Sequence, residues 1–234
     1  MKNIKKVSIL ALVLGLALAL CTACGGSEAD AEKTIKVAAT PAPHAEILYE
    51  VQDALAAEGW TLEVVEFEDY VQPNEAVVNG ECDANYFQHQ PYLDQYNAEN
   101  GTDIVVAGEI HYEPIGAYKG SKDGFDALSD GDKVGVPNDV TNEARALQLL
   151  AANGVITLKD GAGLEATKAD IVDNPKNIEI VELEAATIPA ALPDLAIGVI
   201  NGNYAIGGGL TADDAIVYEA ADSEAAVTYA NIVA

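Results

Sequence analysis

The chain has 234 residues and a mass of 24.4 kDa, enough for one domain or for two small lobes sharing a core. Half of its residues are hydrophobic and mean hydropathy is +0.10, a composition that excludes a disordered chain. With 38 acidic against 12 basic residues the net charge is −26 and the pI is near 4.1, which leaves no basic face for a nucleic-acid backbone.

Lys2, Lys5 and Lys6 precede an apolar run from Val7 to Leu20, broken only by Ser8. A charged start followed by about 14 apolar residues is the layout of an export leader and is short for a spanning helix. The run ends in Leu20-Cys21-Thr22-Ala23-Cys24-Gly25-Gly26, and small residues before a cysteine resemble a bacterial lipoprotein signal. That reading makes residues 1–23 the signal peptide, Cys24 the lipidated (palmitoylated) residue and 24–33 a flexible tether. Loss of the three leader lysines would take the net charge from −26 to −29. Cys82 is then the one cysteine of the folded part, so the fold rests on its core rather than on crosslinks.

From Thr34 the pattern alternates strands and helices. Ile35–Ala39 reads as a strand. Pro41 and Pro43 break it, and Ile47, Leu48, Val51 and Leu55 recur at helical spacing until Gly59. Leu62–Phe67 alternates as a second strand. Helices are expected at Pro73–Asn79 and Pro91–Asn100, each closed by a glycine, and strands at Ile104–Ala107 and Ile115–Tyr118. A strand at Asp132–Pro137 leads into a helix at Asn142–Asn153. Further strands are expected at Ile178–Leu183, Leu195–Ile200, Ile216–Tyr218 and Asn231–Val233. This order predicts an α/β fold with largely parallel sheets.

The chain lacks the local signatures of enzymes: no Gly-x-Ser-x-Gly, His-Glu-x-x-His, Gly-x-x-x-x-Gly-Lys or Gly-x-Gly-x-x-Gly occurs, and Gly207-Gly208-Gly209 reads as a turn. The expectation is a non-enzyme without a cofactor. His44, His89 and His111 lie 45 and 22 residues apart, which is not a local ligand spacing, and each sits beside aromatic or proline residues, so no metal site is expected.

Three constellations remain. Eleven of the twelve basic residues are lysine and the single arginine is Arg145, at the opening of the helix that starts near Thr141–Asn142. A planar fork beside unpaired helix N–H groups suits a ligand carboxylate, and an ion pair with a nearby acid such as Glu143 is the structural alternative. Asp83–Tyr92 packs Tyr86, Phe87, His89 and Tyr92 into seven residues, in a chain only 6% aromatic. With Tyr70 they could wall a slot for an apolar or thioether side chain, or simply form core. Val199–Tyr204 delivers Asn201 from the end of an apolar strand, a usual place for a ligand contact, although Asn-Gly is also a plain turn.

Several blocks together resemble one family: Glu68–Ala76; Asp83-Ala84-Asn85 with Phe87-Gln88-His89 and Pro91-Tyr92-Leu93; Val136–Asp139 with Thr141-Asn142 and Arg145-Ala146-Leu147; Asp170–Asn177; and Ile200–Ala205. They are similar to the NlpA-type methionine-binding lipoproteins, the substrate-binding subunits of methionine ABC importers. The resemblance runs from about Ile35 to Ala234. It implies a two-lobed, type II clamshell of the periplasmic-binding-protein kind, with residues 34–114 plus 205–234 in one lobe, 115–204 in the other, and ligand between them. It implies L-methionine as ligand, with Tyr70, Phe87, His89 and Tyr92 around the side chain. Arg145, with Asn142 beside it, would hold the carboxylate, and Asn201 and Asn231 the amino-acid backbone. It also implies an ABC permease and its ATPase as partners, a membrane anchor on Cys24 facing outside the cytoplasm, and a further segment beyond Ala234. The alternatives are another small amino acid or a methionine derivative on the same fold, a metal receptor, or an adhesion lipoprotein.

Overall fold

Two five-stranded sheets organise the chain, as seen in a computed structural model that describes residues 33–220 and 227–234. The expectations for the leader and for Cys24 lie outside the described residues. No helix among the described residues is long and apolar enough to cross a membrane.

The first sheet has the order β2-β1-β3-β12-β4, formed by β1 (Lys33–Ala39), β2 (Trp60–Glu66), β3 (Ala84–His89), β4 (Gly108–Tyr112) and β12 (Ala230–Val233). Helices α1 (Glu46–Ala57), α2 (Gln72–Val78) and α3 (Gln90–Asn100) connect its strands. The second sheet has the order β11-β5-β10-β6-β9, from β5 (Gly116–Lys119), β6 (Lys133–Pro137), β9 (Glu179–Leu183), β10 (Ile197–Ile200) and β11 (Ala215–Tyr218). Helix α4 (Val140–Ala152) packs on it, and β7 (Thr157–Leu158) pairs with β8 (Ile171–Asp173) as a separate antiparallel ribbon. The short helices α5 (Ile188–Ala191) and α6 (Gly202–Gly207) flank β10. The chain passes from the first sheet to the second at residues 113–115 and returns between β11 and β12.

Each sheet carries its own apolar core. Val37, Ala39, Leu48, Leu62 and Tyr86 fill the first, between the sheet and α1. Val134, Val136, Leu147, Leu150, Ile197 and Val199 centre the second, between the sheet and α4. Both α3 and α4 start with a side-chain cap. His89 Nδ1 accepts from Tyr92 N at 3.2 Å, and Asp139 Oδ1 accepts from Asn142 N at 3.0 Å. Gly101, at φ 65°, closes α3 in the left-handed region.

Most expected elements are present, with three differences. The sheets are mixed rather than largely parallel: β1/β3, β10/β6 and β6/β9 run parallel, whereas β12 is antiparallel to β3 and β4, and β5 to β10 and β11. The strand expected at Ile104–Ala107 starts instead at Gly108, because the Asn97 side chain takes both backbone groups of Ile104, at 2.9 and 3.2 Å. Strand β3 lies inside the aromatic block and is buried on both faces, so it shows no alternation to read. In addition, β11, which the resemblance puts with the first lobe, pairs with β5 in the second sheet.

The core of the second sheet makes a stability prediction. Leu147 is fully buried, so Leu147→Ala should cost about 2–5 kcal/mol, while exposed Val172→Ala should change stability by less than about 0.5 kcal/mol, both measured by urea denaturation.

Candidate functional site

Gln88, His89, Asn142, Arg145, Asn201, Asn203 and Asn231, all buried, line a narrow cavity between the two sheets. Its walls come from the loop after β2 (Tyr70), from β3 (Phe87, His89), the first turn of α3 (Tyr92), α4 (Asn142, Arg145), the end of β10 (Asn201) and β12 (Asn231). All eight residues singled out from the sequence therefore line one cavity. Gln88, Glu113, Gly202 and Asn203 complete it. Gln88 and Asn203 stand inside blocks already quoted, but nothing local to Glu113 sets it apart among 38 acidic residues.

One side of the cavity is aromatic. The rings of Tyr70, Phe87 and Tyr92 lie 5.8–5.9 Å apart in tilted and edge-on contacts, and Tyr204 packs against Tyr70 at 4.7 Å. Their hydroxyls are tied back into the protein: Tyr70 donates to Asn203 Oδ1 at 2.5 Å and Tyr92 to the Tyr70 carbonyl at 3.0 Å. Burial pushes both phenols up, so they stay neutral and present ring faces.

The other side is polar, and its hydrogen atoms follow from the partners. A backbone N–H can only donate, so His89 Nδ1 is unprotonated and the ring's proton sits on Nε2. That proton goes to Asn142 Oδ1, 3.2 Å away. Asn142 Nδ2 in turn donates to Asp139 at 2.9 Å, and Asn201 Nδ2 donates to the same Asn142 Oδ1 at 2.8 Å. The relay leaves Asn201 Oδ1 as a buried acceptor with no donor. It faces a cavity that therefore asks for an N–H group. Asn231 is fixed the other way: its Oδ1 accepts from His44 Nε2 at 3.0 Å, which leaves Nδ2 to donate.

Arg145 is 3% exposed and is gripped along one edge. Nε donates to the two Glu219 oxygens at 3.1 and 3.0 Å, and Nη2 to Glu219 Oε2 at 2.5 Å and the Glu113 carbonyl at 2.7 Å. The Tyr229 ring stacks 4.2 Å from the guanidinium carbon, and Tyr112 donates to Glu219 at 2.6 Å. Two expectations change here. The acid that pairs with Arg145 is Glu219, 74 residues on, while Glu143 accepts from Lys168 N at 3.0 Å. Arg145 is also in the second turn of α4, and the anion at the helix start is the capping Asp139.

Among the described residues His44 and His111 converge on Glu113, with one ligand atom from each residue within 4.8 Å of the others, and His89 is outside this group. Tertiary folding, not local spacing, makes this group.

Burial, and next the Arg145 charge, push His89 down to about 3, and burial also lowers His44. An imidazole held neutral by the fold costs stability once the unfolded chain can take up a proton. The loss is absent above the ordinary value of about 6.5, grows as pH falls, and for His89 is complete near 3. Urea midpoints should therefore fall faster between pH 6.5 and 4 in the wild type than in His89→Gln. Parallel curves would remove this role for His89.

Comparison with known proteins identifies the family. The family model described as NlpA lipoprotein matches residues 35–234. The D-methionine-binding lipoprotein MetQ of Salmonella typhimurium is 45% identical over 228 residues, covering 95% of this chain and 81% of that protein. A lipoprotein structure from Ruminococcus gnavus is 60% identical with a TM-score of 0.85, over 86% of this chain and 83% of that one. A nutrient-binding protein from Burkholderia cenocepacia, bound to methionine, is 46% identical with a TM-score of 0.80, over 85% and 83% of the two chains. The two-sheet α/β architecture is thus that of the periplasmic substrate-binding lipoproteins, and the chain belongs to the NlpA lipoprotein family.

Proposed function

We propose that this protein is a non-enzymatic receptor that captures methionine between its two lobes and delivers it to an ABC importer. The observation that carries the reading is one cavity holding a guanidinium, an orphan acceptor and an aromatic cage. A zwitterionic amino acid offers the three matching groups. Its carboxylate takes the cavity side of Arg145 and the donor Nδ2 of Asn231. Its ammonium supplies the N–H groups that Asn201 Oδ1 lacks. Its thioether lies among Tyr70, Phe87 and Tyr92, where sulfur–ring contacts are favourable. His89 and Asn142 hold these groups in register. A methionine-bound relative at 46% identity and the MetQ relatives support the choice of ligand.

In this reading the lobes are the two sheets with their helices, 34–112 with 227–234 and 116–220, joined by the two crossings between the sheets. Hinge closure around the ligand is the expected motion. Export by the 1–23 leader and lipid attachment at Cys24 would place the receptor on the extracytoplasmic face of the membrane, beside the permease and its ATPase.

Calorimetric titration of unfolded and refolded protein tests this. L- and D-methionine should be titrated with leucine as control, and methionine should bind at one equivalent and more tightly than leucine. Arg145→Ala and Asn201→Ala should each weaken it about 10- to 100-fold, the range of a lost charge-assisted hydrogen bond. Arg145→Ala also takes the guanidinium from half-buried Glu219, so Asn201→Ala carries the decision if the arginine variant unfolds. Folded wild-type protein that ignores both methionine enantiomers would overturn the proposal.

A further inference from the structure

We propose that His44, His111 and Glu113 form a binding site for one divalent transition-metal cation of the zinc class, beside the cavity. The two rings meet at 63° with centroids 5.3 Å apart, and both present Nε2 to the same oxygen. Glu113 Oε1 is 2.6 Å from His111 Nε2 and 3.5 Å from His44 Nε2. Ligand atoms around a tetrahedral zinc ion sit about 3.3 Å apart, given metal bonds of about 2.0–2.2 Å, so small side-chain adjustments bring these three into coordination. Asn231 Oδ1, 3.0 Å from His44 Nε2, offers a fourth, neutral oxygen.

The outer partners suit the same role. His44 Nδ1 meets the Thr40 hydroxyl at 2.7 Å, and His111 Nδ1 meets the Tyr86 hydroxyl at 2.5 Å. A hydroxyl donates or accepts as required. Both rings can therefore move their proton to Nδ1 and free Nε2 for an ion, with the hydroxyls then orienting them. His89 lacks this freedom, because a backbone N–H fixes its Nδ1 as an acceptor.

Charge points the same way. The Glu113 side chain is 12% exposed, and its ion-pair partners among the described residues are these two histidines alone. A cation would compensate a carboxylate that, among the described residues, pairs with no lysine or arginine side chain. Two imidazoles with one carboxylate favour zinc, cobalt or nickel over calcium or magnesium. Glu113 and Asn231 both line the cavity, which provides the way in.

The test is calorimetric titration of chelator-treated, refolded protein with Zn²⁺, and with Co²⁺ read by its visible absorption, with Ca²⁺ and Mg²⁺ as controls. One equivalent of Zn²⁺ should bind in the presence of excess Ca²⁺, and Co²⁺ should show the bands of a low-coordinate, imidazole-bound ion. Loss of an outer partner typically weakens a metal about 10- to 100-fold, so Tyr86→Phe should fall in that range and His111→Ala should lose more. Circular dichroism checks that the variants fold, and Tyr86→Phe, which removes a single oxygen, decides the matter if His111→Ala does not. Absence of stoichiometric Zn²⁺ binding, displacement by Ca²⁺, or binding unchanged in both variants would each overturn the site. None of these readings depends on the response to methionine.

Discussion

A buried guanidinium cannot be left without partners, and most of the site follows from how Arg145 meets that requirement. Removing a charge from water costs several kcal/mol unless ionic and hydrogen-bonding groups replace the solvent. Here Glu219 and the Glu113 carbonyl hold one edge of the fork while Tyr229 covers a face. Glu113 and Glu219 stand on the two segments that cross between the sheets. The arginine on α4 is therefore tied to both crossings.

Around this cation the neutral polar groups are oriented by relay rather than by individual preference. Asp139 caps α4 and also receives Asn142 Nδ2, which turns the Asn142 oxygen toward His89 and Asn201. Because the backbone N–H of Tyr92 fixes the His89 tautomer, neither Asn142 nor Asn201 can flip its amide without losing a bond. The result is an unsatisfied acceptor in Asn201, held ready at the cost of burial. Preorganisation of this kind lets binding energy go into the ligand instead of into ordering the site. A chain with 38 acidic residues can serve an amino acid in this way, since a zwitterion needs one cation and one set of acceptors and no basic field.

The legibility of this site in the sequence was uneven for physical reasons. Arg145 stood out because it is the single arginine, and Tyr70, Phe87, His89 and Tyr92 because aromatics are scarce. Asn201 stood out because an apolar strand delivers it. Local chemistry was less informative about partners. Glu143 lies two residues from Arg145 yet turns to Lys168, while Glu219 comes from the crossing segment just after β11. The same applies to His44, His111 and Glu113: 67 residues separate the two histidines, and only the juxtaposition of the turn before α1 with β4 brings them together. Strand β3 escaped notice because burial on both faces erases period-two alternation.

Sequence alone therefore determined the properties that reside in local order and composition: the α/β alternation, the glycine helix stops, the acidic balance, the family blocks and the identity of the rare side chains. Those depend on backbone preference and on residue type, which are read one segment at a time. The tertiary structure decided the mixed strand directions, the placement of β11 with the second sheet, the choice of Glu219 for Arg145 and the meeting of the two histidines on Glu113. Each of these is a contact between segments distant in the chain, set by how two sheets close on a shared polar seam, and no local pattern encodes which acid or which imidazole will arrive there.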